Sequence, residues 1–145
     1  MNSKSEIAVE LFNKGFNCTQ AVLSSHSEKY GLDTTSAKKI GCAFGGGLAN
    51  NGEVCGAVAG ALMLIGLKHG QHIEGDIDSK EKTKKMTNDY IEKFKDEYGS
   101  IICRDLLKYD ISIEEEAQKA RDSGVFKTLC PIFVRRSVEL VEEII

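Results

Sequence analysis

Five cysteines are the residues of this sequence best suited to chemistry: Cys18, Cys42, Cys55, Cys103 and Cys130. Successive cysteines lie 24, 13, 48 and 27 positions apart, and the sequence contains no Cys-x-x-Cys pair. This spacing excludes the usual thioredoxin-like motif, zinc ribbons and the ligand runs of bacterial ferredoxins. A site that uses several of these thiols must therefore be assembled from distant parts of the chain.

Four of the five cysteines fall where the sequence predicts that a helix begins. Cys18 follows a good capping residue, and Cys55 begins a long apolar stretch. Cys130 directly precedes a proline, which is favoured in the first turn of a helix, and Cys103 lies in the first turn of a short predicted helix. The free N–H groups and the positive dipole end of a helix N-terminus stabilise a thiolate, so these positions predict lowered thiol pKa values.

Thiolates are both nucleophiles and metal ligands, so the same four positions support more than one kind of site. Four converging helix N-termini would suit a thiolate-bound metal or an iron–sulfur cluster. Free cysteine is also among the most buried residue types, so each of these thiols can instead pack as a small apolar residue. Cys42 differs from the others because it lies inside a predicted helix with no capping signal. For Cys42 the sequence favours core packing.

The thirteen residues from 55 to 67 must be positioned at the centre of the fold. They carry no charge and no strong hydrogen-bonding side chain, and Glu53 and Lys68 bound them. A helix that is apolar on every side must be buried on every side. At about 1.5 Å per residue it would be roughly 20 Å long, enough to cross a small domain, and it is too short to span a bilayer. We therefore expect a buried central helix at about 55–70.

The remaining sequence predicts an all-α fold. Apolar residues recur at helical spacing on both sides of the central stretch, and no alternating run of four or more residues indicates a strand. Capping boxes at 3–6, 78–81 and 112–115 predict three helix starts. Because there is no internal repeat and no linker, we expect one domain over 1–145, a bundle of about seven helices around the central helix.

Four glycines are candidate contacts of a cofactor: Gly45, Gly46, Gly47 and Gly56. The run of three cannot hold a helix and can form a backbone nest for an anion. No Lys-Ser/Thr pair follows it, so a phosphate-binding P-loop is not supported. A tight turn that presents Cys55 is the better explanation of the run, and close helix packing is the favoured explanation of Gly56, with contact to a ligand as its alternative.

The composition limits the partners. The net charge of −3 argues against nucleic acid as the main partner, because phosphate binding requires a surplus of Lys and Arg. The N-terminus shows no secretory signal and we expect no membrane segment, so we expect a cytoplasmic, reducing environment, where structural disulfides are rare. The apolar stretch 138–145 can complete the core of its own chain or pair with a second copy in a homodimer.

The segment 55–60, Cys-Gly-Ala-Val-Ala-Gly, resembles the Cys-Gly-Ala-x-x-Gly hallmark of the C_GCAxxG_C_C family of redox-active proteins. The resemblance extends over nearly the whole chain, through Asn17-Cys-Thr-Gln-Ala-Val22, the segment 44–47, Cys103-Arg-Asp-Leu-Leu107 and Cys130. The segment 41–46, Gly-Cys-Ala-Phe-Gly-Gly, also fits the letters of the label, but the glycine-rich turn precedes 55–60 as the family pattern expects. The resemblance implies a redox site made of Cys18, Cys55, Cys103 and Cys130, with Cys42 an addition of this sequence.

The sequence leaves four functions open. The first is a redox or electron-transfer protein that holds an iron–sulfur cluster on these thiolates and works with a redox partner protein. The second is a metal-free thiol–disulfide oxidoreductase or redox sensor, since distant cysteines can meet in space. The third is a structural zinc site, and the fourth is a helical bundle that binds a small molecule and uses its cysteines only as core. Enzymatic activity therefore stays open.

Few other side chains predict chemistry. His69 and His72 would be the first spare ligands to consider if a metal is bound. Glu53 lies two residues before Cys55, and Arg104 follows Cys103, so both charges are placed to tune a thiol.

Overall fold

The computed structural model describes residues 2–145, and within them the chain forms nine α-helices and one 3-10 turn, Glu28–Tyr30. The helices are α1 (Lys4–Asn13), α2 (Cys18–His26), α3 (Thr34–Gly41), α4 (Gly56–His69), α5 (Ile77–Tyr98), α6 (Cys103–Leu107), α7 (Glu114–Ser123), α8 (Val125–Thr128) and α9 (Cys130–Ile144). The predicted all-α, single-domain fold is confirmed. The helix count exceeds the predicted seven or so in part because α8 is an additional four-residue helix.

The predicted central helix is α4. Its fully buried side chains are Ala57, Val58, Ala61, Leu64 and Ile65. The helices α2, α5 and α9 pack around it. Full burial of a Leu or Ile side chain contributes about 1.5–3 kcal/mol, so α4 anchors the core. Neither α4 nor any other helix in residues 2–145 is long and apolar enough to cross a bilayer.

Two glycines of α4 let α2 approach closely. A Cβ atom at Gly60 would lie 3.0 Å from the carbonyl oxygen of Thr19 and 3.0 Å from the Cβ of Val22. The hydroxyl of Thr19 donates to the carbonyl oxygen of Gly56 over 2.8 Å. Further along α4, a Cβ at Gly66 would have no atom within 4 Å. The close packing therefore concerns the N-terminal half of α4, which lies beside the first residues of α2.

Side-chain caps fix the starts of several helices. At α2 the side chain of Asn17 accepts from the N–H of Gln20, and the side chain of Gln20 accepts from the N–H of Asn17, which completes a capping box. The helix α1 is capped by Ser3, as the sequence predicts, and α3 is capped by Asp33. The boxes predicted at 78–81 and 112–115 are wrong, because Asp76 caps α5 and no side chain caps α7.

The apolar end of the chain lies in α9, which packs against α1 and α4. Val138, Leu140 and Val141 are buried, and Ile144 and Ile145 are half-buried. This stretch therefore completes the core of its own chain. A homodimer stays a prediction.

Candidate functional site

Four of the five cysteines line one cavity of about 240 Å³: Cys18, Cys55, Cys103 and Cys130. Each stands at the N-terminal end of a different helix. Cys55 is the cap residue of α4, and the other three are the first residues of α2, α6 and α9. Cys42 is exposed and lies outside the cavity, so the core packing expected for it is wrong.

A short antiparallel contact holds two of these cysteines side by side. It joins the residues just before α4 to those just before α6. The N–H of Cys55 donates to the carbonyl oxygen of Ile101 over 2.7 Å, and the N–H of Cys103 donates to the carbonyl oxygen of Glu53 over 2.6 Å. Pairing of two residues that are far apart in sequence leaves no periodic pattern, so the sequence analysis missed this contact.

Burial makes three of the thiols harder to ionise than their helix positions predict. It raises the pKa of Cys55 to about 11 and that of Cys103 to about 12. The first N–H groups of α4 favour the Cys55 thiolate but offset only part of this effect. The pKa of Cys18 is raised well above its usual range, first by a hydrogen bond with Cys130 and then by burial. The lowered pKa values expected at these three helix ends are therefore wrong. At Cys55 and Cys103 the loss of hydration outweighs the helix dipole, and at Cys18 the interaction with Cys130 has the largest effect.

Cys18 and Cys130 form a hydrogen-bonded pair of thiols between α2 and α9. The interaction between the two thiols lowers the pKa of Cys130 and raises that of Cys18. Cys18 also lies against α4, since a Cβ at Gly56 would be 3.2 Å from the Cβ of Cys18. Cys130 is therefore the one thiol of the four whose ionisation is favoured.

The rest of the cavity wall is mainly apolar. Its larger side chains are Phe12, Leu106, Leu107, Phe126 and Phe133. No charged side chain lines the cavity among the described residues. Arg104, which we expected to tune Cys103, pairs instead with Glu53 over 3.3 Å at the surface. The two charges compensate each other, so neither acts alone on the thiols.

The candidate glycines divide into two pairs. Gly46 and Gly56 line the cavity. Gly45 packs against the side chain of Asn17, and a Cβ at Gly47 would lie 2.8 Å from the Cβ of Cys103. Close approach of neighbouring residues therefore accounts for Gly45 and Gly47. It applies to Gly46 and Gly56 as well, which in addition line the cavity and can touch a bound group.

The histidines stand apart from the cavity. His69 is the last residue of α4 and His72 lies in the loop that follows, and neither lines the cavity. His69 and His72, which the sequence suggested as additional metal ligands, therefore lie outside the cavity. In the described part of the chain, no group of three or more His, Cys, Asp or Glu side chains is close enough to hold a single metal ion.

Sequence reasoning missed Asn50 and the three phenylalanines of the wall. Asn50 had one available signal, because it follows a glycine run and asparagine tolerates positive φ. The phenylalanines come from α1, α8 and α9, and only the packing of those helices brings them to the thiols.

These features define an all-helical protein in which four separate helix ends carry four thiols into one apolar cavity. Comparison with protein families makes the assignment specific. The chain belongs to the family described as "Putative redox-active protein (C_GCAxxG_C_C)", whose model matches residues 16–144, so the resemblance carried by segment 55–60 is confirmed. No curated protein and no solved structure gives a significant match to the chain.

Proposed function

We propose that this chain holds an iron–sulfur cluster on the thiolates of Cys18, Cys55, Cys103 and Cys130 and passes electrons to a partner protein. The observation that carries the proposal is that these four thiols, from four helix N-termini, line one cavity. Four cysteine thiolates are the ligand set of the common iron–sulfur clusters. When bound, the cluster supplies one-electron redox chemistry.

The room between the thiols suits a cluster better than a single ion. A structural zinc ion needs four ligands at about 2.0–2.3 Å from one centre, and no three ligands in residues 2–145 are grouped closely enough for one ion. The irons and sulfides of a cluster occupy the space between its cysteine ligands, so those ligands stand further apart. A cavity of about 240 Å³ offers such space. Structural zinc is correspondingly disfavoured.

The chain's own residues favour anionic sulfur that is paired with metal. Each ligand stands at a helix N-terminus, where free N–H groups stabilise negative charge. The Leu and Phe side chains exclude water, which keeps Cys18, Cys55 and Cys103 protonated until a metal displaces the protons. Because no basic side chain lines the described wall, the compensating positive charge has to come from the bound metal.

One observation favours a second candidate function, thiol–disulfide exchange. Cys18 and Cys130 are hydrogen-bonded, and the pKa of Cys130 is lowered. In that reaction the Cys130 thiolate attacks a disulfide substrate and releases one substrate thiol. Cys18 then attacks the sulfur of Cys130, which releases the second substrate thiol and leaves a Cys18–Cys130 disulfide. The two thiols pass two electrons and two protons to the sulfurs of the substrate. Cys55 and Cys103 have no part in this scheme, so it leaves half of the cavity's thiols unexplained.

The test is anaerobic purification of the full chain, then iron and acid-labile sulfide analysis and a visible absorption spectrum. We expect iron, sulfide and a broad visible absorption that is lost in Cys55→Ser. The matched control is Cys42→Ser, which changes an exposed thiol outside the cavity and should keep the absorption.

Three other results would decide against the cluster. Protein that stays colourless after anaerobic reconstitution with iron and sulfide would exclude it. Stoichiometric zinc that is lost in Cys55→Ser would assign the site a structural role. Metal-free protein in which Cys18 and Cys130 alone form a reversible disulfide, as peptide mass spectrometry can show, would establish the second function.

A further inference from the structure

The segment 46–50 is a left-handed turn in the wall of the cysteine cavity. Its residues Gly46, Gly47, Leu48, Ala49 and Asn50 have φ angles of 67°, 69°, 68°, 50° and 65°. Glycine adopts such angles freely and asparagine tolerates them, but a run of five that includes two aliphatic residues is sterically unfavourable. Strained backbone of this kind concentrates at functional sites. The turn therefore requires a functional explanation.

Hydrogen bonds tie the turn to the helix that carries one of the thiols. The N–H groups of Gly52 and Glu53 donate to the carbonyl oxygens of Gly46 and Gly47, over 3.1 and 2.9 Å. The carbonyl oxygen of Glu53 in turn accepts from the N–H of Cys103 over 2.6 Å. The turn and the first residue of α6 therefore hold each other in place.

The turn leaves hydrogen-bond donors without a partner beside the thiols. Within residues 2–145, no oxygen accepts from the N–H groups of Gly46 or Gly47. The side chain of Asn50 folds onto Gly46 and lines the cavity, and it too has no hydrogen-bond partner in that range. The other amide of the wall, Asn17, is already engaged in its capping bond and in two bonds to carbonyl oxygens at the end of α3.

Asn50 stands at the mouth of the cavity. It is exposed, and together with Phe126 it also lines an adjoining surface cavity of about 300 Å³. Its amide is therefore the polar group at the boundary between the thiols and solvent.

We propose that Asn50, with the N–H group of Gly46, is the hydrogen-bond donor set that the cavity offers to anionic sulfur, in a ligand thiolate or in a sulfide of the cluster. This inference rests on the iron–sulfur site proposed above, and it gives the strained turn the role of setting the electron affinity of that site. Hydrogen bonds to the sulfurs are one determinant of cluster potentials. They stabilise the reduced form, which carries the additional negative charge, and so raise the reduction potential.

Two substitutions and one control test the proposal. Asn50→Gly fits the left-handed φ and removes the amide, whereas Asn50→Asp keeps the size and puts an anion where the donor stood. The control, Ala49→Asp, adds the same charge at the neighbouring exposed residue, which does not line the cavity. Each full-length variant is loaded anaerobically with iron and sulfide. Its midpoint potential is then measured by titration with dithionite, in which one electron enters the cluster.

We expect the midpoint potential of Asn50→Gly to fall by the equivalent of about a tenfold change in the ratio of oxidised to reduced cluster, ~59 mV for a one-electron couple. The midpoint potential of Asn50→Asp should fall further, and that of Ala49→Asp should change far less. A wild-type potential in Asn50→Gly would overturn the inference, and so would equal shifts in the two Asp variants, since surface charge would then explain both. These results leave the proposed function intact. A wild-type chain that binds no cluster would overturn both proposals.

Discussion

The same substitution, glycine to alanine, should have opposite effects at two positions of α4. Gly60 and Gly66 both lie inside this helix, where alanine is favoured over glycine by about 1 kcal/mol. At Gly66 the new Cβ meets nothing within 4 Å, so this gain is expressed in full. At Gly60 the new Cβ would lie 3.0 Å from the carbonyl oxygen of Thr19 and 3.0 Å from the Cβ of Val22. Neither atom can rotate away, so α2 itself has to move.

The expected difference follows from these two effects. Overpacking costs about 1–3 kcal/mol, so Gly60→Ala should lose about 1 kcal/mol of stability once the helix gain of about 1 kcal/mol is subtracted. Gly66→Ala should gain about 1 kcal/mol. A change of 1 kcal/mol shifts the Tm by roughly 4 °C in a domain of this size, so the two variants should differ by about 8 °C. Urea and thermal unfolding of the reduced, metal-free chain, followed by circular dichroism, measure this difference.

The two variants also separate packing from function. Because Cys18 is the first residue of α2, Gly60→Ala should weaken iron and sulfide loading, whereas Gly66→Ala should load like the wild type. Equal stabilities of the two variants would refute the close approach of α2 to α4. A stable Gly60→Ala protein with normal loading would refute the link between that approach and the site.

Three further predictions concern the thiols, a helix cap and a buried histidine. In the metal-free chain, an alkylating reagent should label exposed Cys42 first. The labelling of Cys55 and Cys103 should be slow at neutral pH and become faster as the pH approaches their pKa values of about 11 and 12. Mass spectrometry measures the order of labelling, and equal rates at the three cysteines would contradict the prediction. Asn17→Ala should cost about 1–2 kcal/mol in urea unfolding, because the cap of α2 is lost; a loss below about 0.5 kcal/mol would show that the cap is not used. Burial lowers the pKa of His26, so stability should be complete above about pH 6.5 and fall below it, as the unfolded chain takes up the proton. His26→Leu should abolish that fall in Tm between pH 7 and pH 5, and an equal fall in this variant would assign it to other groups.

The sequence predicted the features of the fold that depend on neighbouring residues. The uncharged run 55–67 is long enough that only a buried helix accommodates it, and α4 covers Gly56–His69. Helix starts were less certain, because several side chains in a polar segment can act as caps. The residues 78–81 fit the pattern of a capping box, but the side chain that caps α5 is that of Asp76. The choice depends on where the preceding loop leaves the backbone, which local sequence does not record.

The grouping of the four thiols was predictable from the sequence, whereas their electrostatics were not. Helix-end positions singled out the four thiols that line the cavity, and the same reasoning set Cys42 apart. It also predicted easily ionised thiols, which is wrong for Cys55 and Cys103. A helix dipole can be read from the sequence, whereas desolvation depends on which side chains arrive from other helices. The side chains that α1, α8 and α9 contribute to the cavity wall exclude water from the thiols, so the pKa values are raised where the helix ends alone would lower them.

The raised pKa values bear on how the metal-free chain folds and on which chemistry it can perform. With a pKa of about 11, roughly one Cys55 thiol in ten thousand is ionised at pH 7. Neutral thiols pack in an apolar cavity without the repulsion that four thiolates would suffer, so the cavity can form before metal arrives. A metal must then displace protons, and cluster assembly should become more favourable as the pH rises. A cysteine that binds metal has to lose its proton once, when the cluster assembles, whereas a nucleophilic cysteine has to lose its proton in every turnover. Burial of Cys55 and Cys103 therefore suits these two thiols as ligands rather than as nucleophiles, and it leaves disulfide exchange to Cys18 and Cys130 alone.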